Sequence, residues 1–165
     1  MGKTTMLAVI IAVVAMLAAA GVAIAATFTC NPNDNICSGT ENDDVITGTE
    51  ESDEIRALGG DDRVSALGGG DVVLGGDDED IIDGGTGSDE LKGGMGDDRI
   101  SDPSRRDTDT VFGNDGDDFI NVADRDFRDS VDCGAGTDTV RFDRRKGGTR
   151  DDFVNCENRI PVNRD

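Results

Sequence analysis

The 165-residue chain contains no histidine, tryptophan or tyrosine, and only 6 phenylalanines. Without histidine it can form neither a Ser-His-Asp or Cys-His nucleophilic site nor a histidine-based zinc site. So few aromatic residues are unusual for a globular core of this length. Positive charge is also scarce, since 16 basic residues face 36 acidic ones and the formal net charge is −20. That charge disfavours nucleic acid as a partner, because phosphate groups bind cationic surfaces.

An acidic chain with few aromatics is often disordered, but a regular repeat argues against disorder here. Residues 84–101, GGTGSDELKGGMGDDRIS, are two nine-residue units laid end to end. Carried outward, the same phase divides residues 39–101 into seven consecutive units, repeats 1 to 7, with no slip. Residues 102–155 add repeats 8 to 12, of which repeats 8, 10 and 12 contain insertions. Such internal repetition is the strongest structural signal in the sequence.

Two places in each repeat carry the pattern. The eighth place of repeats 1 to 7 is always Ile, Val or Leu, and the sixth is always aspartate. The sixth-place residues of repeats 1 to 7 are Asp44, Asp53, Asp62, Asp71, Asp80, Asp89 and Asp98. The later nine-residue repeats contribute Asp118 and Asp138, and the repeats with insertions contribute Asp109, Asp129 and Asp152.

An aliphatic residue flanked by polar neighbours predicts a short strand with one side chain directed inward. Two strand–turn units then make one coil of eighteen residues, and coils stack at about 4.8 Å into two parallel sheets around an aliphatic core. Odd-numbered repeats stack along one edge and even-numbered repeats along the other. The sixth-place carboxylates would form columns at about 5 Å spacing, where like charges repel by several kcal/mol. Divalent cations would relieve that repulsion, and a ligand set of oxygens alone favours Ca²⁺ over zinc or copper, with Mg²⁺ the weaker choice.

The repeats GGTGSDELK and GGMGDDRIS, with the near matches GNDGDDFIN and CGAGTDTVR, resemble the RTX family of calcium-binding nonapeptides, GGxGxDxUx. The resemblance covers residues 39–155 and implies an all-β, right-handed parallel β-roll of about six coils, with each ion between two turns stacked on one edge. No protease, lipase or toxin domain fits in the remaining residues, so we expect no enzymatic activity.

The resemblance also implies the calcium ligands. They are the sixth-place aspartates of the nine-residue repeats, Asp44 to Asp98 with Asp118 and Asp138, and turn glycines that offer backbone carbonyls. The glycines are Gly60, Gly69, Gly85, Gly87, Gly94, Gly96, Gly116 and Gly136. The ligand pattern extends less well to Asp109, Asp129 and Asp152, which lie in altered turns. The fifth-place acids Asp43, Asp61, Asp97 and Asp117 are expected to face solvent.

Four cysteines, all beyond residue 26, suit an oxidising compartment, and their spacing is unlike that of a zinc site. Cys133 begins repeat 11 and Cys156 takes the same place in the next coil on that edge. Stacking predicts a Cys133–Cys156 disulfide that closes the last coil. Residues 30–38, CNPNDNICS, look like a degraded repeat, and a Cys30–Cys37 disulfide would close the first end.

The first residues form a separate segment. Met6–Ala26 carry no charge, and Ala23-Ile24-Ala25 fits the small-x-small rule for signal cleavage, so residues 1–25 are predicted to be a signal peptide. The alternative is an uncleaved membrane anchor. We expect a secreted protein with an N-terminal cap at 26–38, regular repeats at 39–101, irregular repeats at 102–155 and a C-terminal cap at 156–165. No membrane span remains after cleavage.

The insertions fall in even-numbered repeats, so they should project from one edge. They carry Arg105, Arg106, Arg125, Arg128, Arg144, Arg145, Lys146 and Arg150. These cations either neutralise Asp109, Asp129 and Asp152 in place of calcium or bind an anionic surface or glycan. Together these features predict a secreted calcium-binding protein with a structural or adhesive role. The alternatives are an enzyme or self-processing protein, for which the Asp102-Pro103 bond is a candidate cleavage point, and an ice-binding roll. An ice-binding roll needs a regular threonine ladder, and Thr40, Thr47, Thr49 and Thr86 do not keep one register.

Overall fold

The computed structural model describes residues 25–31, 36–102, 107–123, 129–144 and 151–163. In these ranges the regular structure consists of strands alone. Their bounds are β1 (Ala26–Thr29), β2 (Ile36–Ser38), β3 (Asp44–Thr47), β4 (Glu54–Gly59), β5 (Arg63–Ser65), β6 (Val72–Asp77), β7 (Ile81–Asp83), β8 (Glu90–Met95), β9 (Arg99–Ser101), β10 (Thr110–Asp115), β11 (Phe119–Val122), β12 (Ser130–Ala135), β13 (Thr139–Arg144), β14 (Asp152–Val154) and β15 (Asn158–Asn163). A search of the described residues finds no helix with the length and apolar character needed to cross a membrane.

The strands form two parallel sheets. The odd-numbered strands make an eight-stranded sheet in chain order, and the even-numbered strands make a seven-stranded sheet. Val45 lies opposite Arg63, which lies opposite Ile81, so neighbouring strands are one eighteen-residue coil apart. The chain is therefore a parallel β-solenoid of about 6 coils, as the repeat predicts.

Each repeat begins with a turn that carries the chain from one sheet to the other. We number the turns with the repeats, so that turn 5 is residues 75–80. Odd turns lead into the odd sheet and lie along one edge, the odd edge, while even turns lie along the even edge. Backbone hydrogen bonds join successive coils next to each turn, for example from the Ile81 amide to the Asp62 carbonyl at 2.8 Å.

The eighth-place side chains fill the space between the sheets. In repeats 1 to 11 every one of them is at most 1% exposed, from Ile46 to Val140. Each such aliphatic contributes about 1.5–3 kcal/mol of transfer free energy. The first place is also a core place, which the sequence pattern did not predict: Ala57, Val122 and Phe142 are buried there. The core is thus built from two places of the repeat, and the larger first-place side chains lie towards the C-terminal end.

Both predicted disulfides are present. Cys133 and Cys156 have Cα atoms 5.2 Å apart, close to the spacing of stacked coils. Cys30 and Cys37 have Cα atoms 5.3 Å apart and are buried at the first end of the core.

The phase predicted for repeat 12 is wrong by one residue. Asp152 lies opposite Ser130 and Phe153 opposite Val131, so the sixth place is Asp151 and the eighth is Phe153. The reason is packing: the Phe153 ring lies against Phe142, with ring centroids 4.9 Å apart, whereas Val154 is 53% exposed. An aromatic residue at the eighth place breaks a pattern defined by aliphatic residues.

Candidate metal centre

The sixth-place aspartates form one column along each edge. The backbone amide of each aspartate donates a hydrogen bond to Oδ1 of the aspartate one coil later, and the N···O distances lie between 2.7 and 3.1 Å. The odd column contains Asp44, Asp62, Asp80, Asp98, Asp118 and Asp138, and the even column contains Asp53, Asp71, Asp89, Asp109 and Asp129. None of these side chains is more than 5% exposed.

The column ends use other groups. At the start of the odd column the Ala26 amide donates to Asp44 Oδ1 at 3.0 Å. At the far ends, the Asp138 amide donates to Glu157 Oε2 at 3.0 Å and the Asp129 amide to Asp151 Oδ1 at 3.3 Å.

Asp109 and Asp129 belong to the even column, although they follow insertions. The Asp89 amide donates to Asp109 Oδ1, and the Asp109 amide to Asp129 Oδ1, across a sequence separation of 20 rather than 18 residues. The turn realigns before the aspartate, since the Thr108 amide already donates to Ser88 Oγ one coil away. The sequence pattern therefore underestimated how well Asp109 and Asp129 fit the column. Asp152, by contrast, lies outside it.

The second carboxylate oxygen separates the predicted ligands into two groups. In seven of them Oδ2 is buried and has no hydrogen-bond partner in the described part of the chain: Asp62, Asp71, Asp80, Asp89, Asp98, Asp118 and Asp138. In the other two it is already bound. Asp44 Oδ2 accepts from the Thr40 amide at 2.7 Å and hydroxyl at 2.9 Å, and Asp53 Oδ2 accepts from the Thr49 amide at 2.7 Å and hydroxyl at 2.8 Å.

The backbone divides the turns in the same way. Turns 3 to 7, 9 and 11 all have positive φ at their second and fourth places, whereas turns 1 and 2 have none. Every predicted glycine, from Gly60 to Gly136, is one of these positive-φ residues. The sequence pattern missed Leu58, Leu67, Gly76, Asp78, Asn114 and Gly134, which share the conformation.

At the glycines among these places the turns stack too closely for a side chain. A Cβ on Gly87, whose φ is +124°, would lie 1.4 Å from the Gly69 carbonyl oxygen in the coil before. Carbonyl oxygens of one turn therefore lie directly against the next turn on the same edge.

The seven carboxyl groups whose Oδ2 has no partner in the described ranges resist ionisation. Burial raises the pKa of Asp80 and Asp118 to about 7, although backbone hydrogen bonds lower it and neighbouring carboxylates raise it further. The pKa of Asp62, Asp71 and Asp98 rises to about 6, again chiefly through burial. The pKa of Asp89 and of Asp138 is raised for the same reason.

The fifth-place acids lie outside the columns. Asp43, Asp61, Asp97 and Asp117 are exposed, as predicted, and Asp43 Oδ1 accepts a hydrogen bond from the Asp61 amide at 3.1 Å.

The chemistry of the columns fits calcium. Buried carboxylate and carbonyl oxygens are hard donors, with no nitrogen or sulfur among them, and Ca²⁺ accepts six to eight such oxygens in flexible geometry. Residues 38–73, 74–101 and 106–124, half of the chain, match the family model of the RTX calcium-binding nonapeptide repeat, in 4 copies. The chain belongs to the RTX calcium-binding repeat family. RTX repeats are a calcium-binding structural fold, and proteins that contain them are typically secreted or extracellular. No curated protein and no solved structure matches the chain.

Several predicted features lie outside the described residues. These are residues 1–24 of the predicted signal, Pro103 of the Asp102-Pro103 bond, and the cations Arg105, Arg106, Arg125, Arg128, Arg145, Lys146 and Arg150. Arg144 ends strand β13. A role for these cations beside the carboxylates, or towards an anionic partner, stays a prediction.

Proposed function

We propose that this chain is a secreted RTX β-roll that completes its folding when Ca²⁺ binds. The observation that carries the proposal is the set of seven buried aspartates whose Oδ2 has no hydrogen-bond partner among the described residues. An isolated buried carboxylate is costly, so without a cation these groups must either take up protons or keep the coils apart.

The ligands we assign are these seven aspartates and the carbonyl oxygens of the positive-φ places in the same turns. Asp44 and Asp53 are left out of the calcium set, because threonine already donates to the oxygen that would face an ion. When bound, the ion supplies positive charge that offsets the paired carboxylates of successive coils. We keep the predicted boundaries as part of this proposal: a signal at 1–25, caps at 26–38 and 156–165, and repeats at 39–155.

Several sites must act together. A ligand at about ten times its dissociation constant adds only about 1.4 kcal/mol per site. Extracellular calcium modules bind at about 10⁻⁴–10⁻³ M, so such a roll stays incomplete where calcium is scarce and folds where it is abundant.

Strand β1 supports the proposed cleavage before Ala26. The strand begins at Ala26, so a cut there leaves it whole. The new α-ammonium would take the place of the amide that lies 3.0 Å from Asp44 Oδ1 and add a positive charge beside that carboxylate.

We assign the mature roll a structural or adhesive role rather than an enzymatic one. The feature that repeats from coil to coil is a buried carboxylate suited to a metal ion. The anionic surface or glycan predicted at the arginine-rich insertions is the proposed partner. Binding of the calcium-loaded protein to anionic glycans, compared with a variant in which Arg105, Arg125 and Arg144 become glutamate, tests that partner.

Calcium titration of the chain beginning at Ala26, followed by circular dichroism, tests the main proposal. We expect β structure and melting temperature to rise cooperatively with Ca²⁺ and not with an equal concentration of Mg²⁺. A chelated protein with the same β content and melting temperature as the calcium-loaded protein would contradict the proposal.

A further inference from the structure

Asp102 breaks the repeat at a place where no other described repeat has an acid. It occupies the first place of repeat 8, which holds glycine in repeats 6 and 7 as Gly84 and Gly93. First-place residues face the core, and the Asp102 side chain is 1% exposed. Its carboxylate is therefore inside the roll and not in the insertion that follows it.

This carboxylate joins two column members. One carboxylate oxygen from each of Asp89, Asp102 and Asp109 lies within 4.8 Å of the other two. Asp89 and Asp109 are successive members of the even column, linked by the hydrogen bond from the Asp89 amide to Asp109 Oδ1. Asp102 thus adds a third carboxylate to the pair that any two successive turns on one edge provide.

The carboxylates of Asp102 and Asp89 meet at Gly84, which has no side chain to keep them apart. A Cβ on Gly84 would lie 2.5 Å from Asp102 Oδ2 and 2.9 Å from Asp89 Oδ2, so both oxygens border the same point in the core. Asp89 Oδ2 has no hydrogen-bond partner within the described residues, in a side chain that is 3% exposed. A buried carboxylate that lies beside two further carboxylates needs either a proton or a cation.

We infer that Asp89, Asp102 and Asp109 together bind one Ca²⁺ ion, in a site distinct from the turn-to-turn sites of the RTX pattern. The inference rests on the proposed calcium binding and identifies the place on the even edge where calcium should bind most tightly. Three carboxylates carry more negative charge than the two offered by successive ordinary turns, and ligand charge is what tunes calcium affinity in protein sites. This site therefore fills first, where the regular repeats meet the repeats with insertions.

Isothermal titration of the calcium-free chain with Ca²⁺, in the presence of a competing chelator, tests the inference. The wild-type protein should show one site tighter than the rest. Asp102→Gly restores the ordinary first-place residue, and Asp102→Asn keeps the size of the side chain. Both should weaken the tightest site by about tenfold or more, because one charged ligand is lost.

Asp83→Asn is the matched control, since it removes one negative charge from an exposed ninth place. It should leave the tightest site unchanged. If both Asp102 variants bind with wild-type stoichiometry and affinities, the third carboxylate is not a ligand and the inference is wrong. If Asp102→Gly does not fold at saturating Ca²⁺, Asp102→Asn decides. A wild-type chain that binds no calcium overturns the proposed function itself, which is a different result from equal binding by wild type and variants.

Discussion

Turns 1 and 2 hold their sixth-place aspartates as deeply as turns 3 to 7 but bind the second oxygen differently. In turn 1 the hydroxyl and amide of Thr40 both donate to Asp44 Oδ2. In turn 5 the second place is Gly76 at φ +132°, and Asp80 Oδ2 has no partner in the described chain. One threonine in the second place thus does within the chain what a cation is proposed to do elsewhere.

The comparison explains why the first two repeats depart from the RTX pattern. They lack glycine at the second and fourth places because their turns do not use positive φ. The first complete coil is consequently able to satisfy its carboxylates without metal, and later coils can stack on it. The turn sequences GTENDD (39–44) and GTEESD (48–53) therefore depart from the RTX pattern for a structural reason: their threonines replace the metal as partners of the aspartates.

The largest expected effect is that calcium abolishes the pH dependence of stability between about pH 4 and 7. Asp62, Asp71, Asp80, Asp98 and Asp118 have folded pKa values of about 6 to 7, above the ordinary 3.8, so the calcium-free folded protein binds more protons than the unfolded chain between those values. Its stability should fall as the pH rises from about 4 to 7. With saturating Ca²⁺, which keeps these carboxylates ionised in the folded protein, stability should stay level over that range and fall only below about pH 4, where the unfolded chain takes up protons. Melting temperatures at pH 5 and 7.5, in chelator and in calcium, measure this, and the same slope in both conditions would contradict it.

Gly87→Ala in turn 6 should destabilise the calcium-loaded protein by about 2–6 kcal/mol, because it combines an unfavourable positive φ with overpacking against Gly69. The matched change is Glu51→Ala at the fourth place of turn 2, where φ is not positive and the side chain is exposed. That variant should stay within about 0.5 kcal/mol of wild type in urea unfolding. Equal losses in the two variants would show that the two kinds of turn do not differ as described.

Asp80→Asn and Asp44→Asn should respond differently to calcium. The Asp80 change removes a proposed ligand, so it should destabilise in calcium, yet stabilise in chelator because a buried charge is gone. The Asp44 change replaces an acceptor of two threonine hydrogen bonds with a donor and should cost about 1–3 kcal/mol in both conditions. Unfolding free energies in calcium and in chelator measure both, with exposed Glu79→Gln as the charge control. A loss for Asp80→Asn that is equal in the two conditions would exclude it as a ligand.

The smallest effect is expected for Thr49→Ala, which should cost about 0.5–1.5 kcal/mol through loss of the hydroxyl donor to Asp53. Thr49→Ser keeps that donor and should restore most of the stability. Because no ion is involved, the difference between the two variants should be the same with and without calcium in thermal unfolding.

Much of the fold follows from the sequence because one period controls it. The nine-residue spacing predicted the coil length, the two edges, the eighth-place core and both disulfides. It did not predict that the first place is a core place, since glycine at that place in most repeats hides the direction of the side chain. Val122 and Phe142 show it only in the later repeats.

The candidate site was harder to predict, because its two kinds of turn depend on backbone conformation. Leu58 and Leu67 adopt positive φ against their own preference, since they stack in register with Gly76 and Gly85. No residue-type pattern reports that. The capping threonines, by contrast, are visible as a threonine four residues before the sixth-place aspartate, and Asp102 is visible as an acid where glycine is expected.

The hydrogen bonds of the two columns have a direction. Each aspartate amide donates to the coil that comes after it in the chain, as from Asp62 to Asp80 and from Asp80 to Asp98. A polypeptide that emerges amino end first can therefore form each of these hydrogen bonds only after about eighteen further residues have emerged. Assembly therefore lags synthesis by one coil. The final acceptors Asp151 and Glu157 arrive with Cys156, so the last disulfide and the last hydrogen bonds of the columns form together.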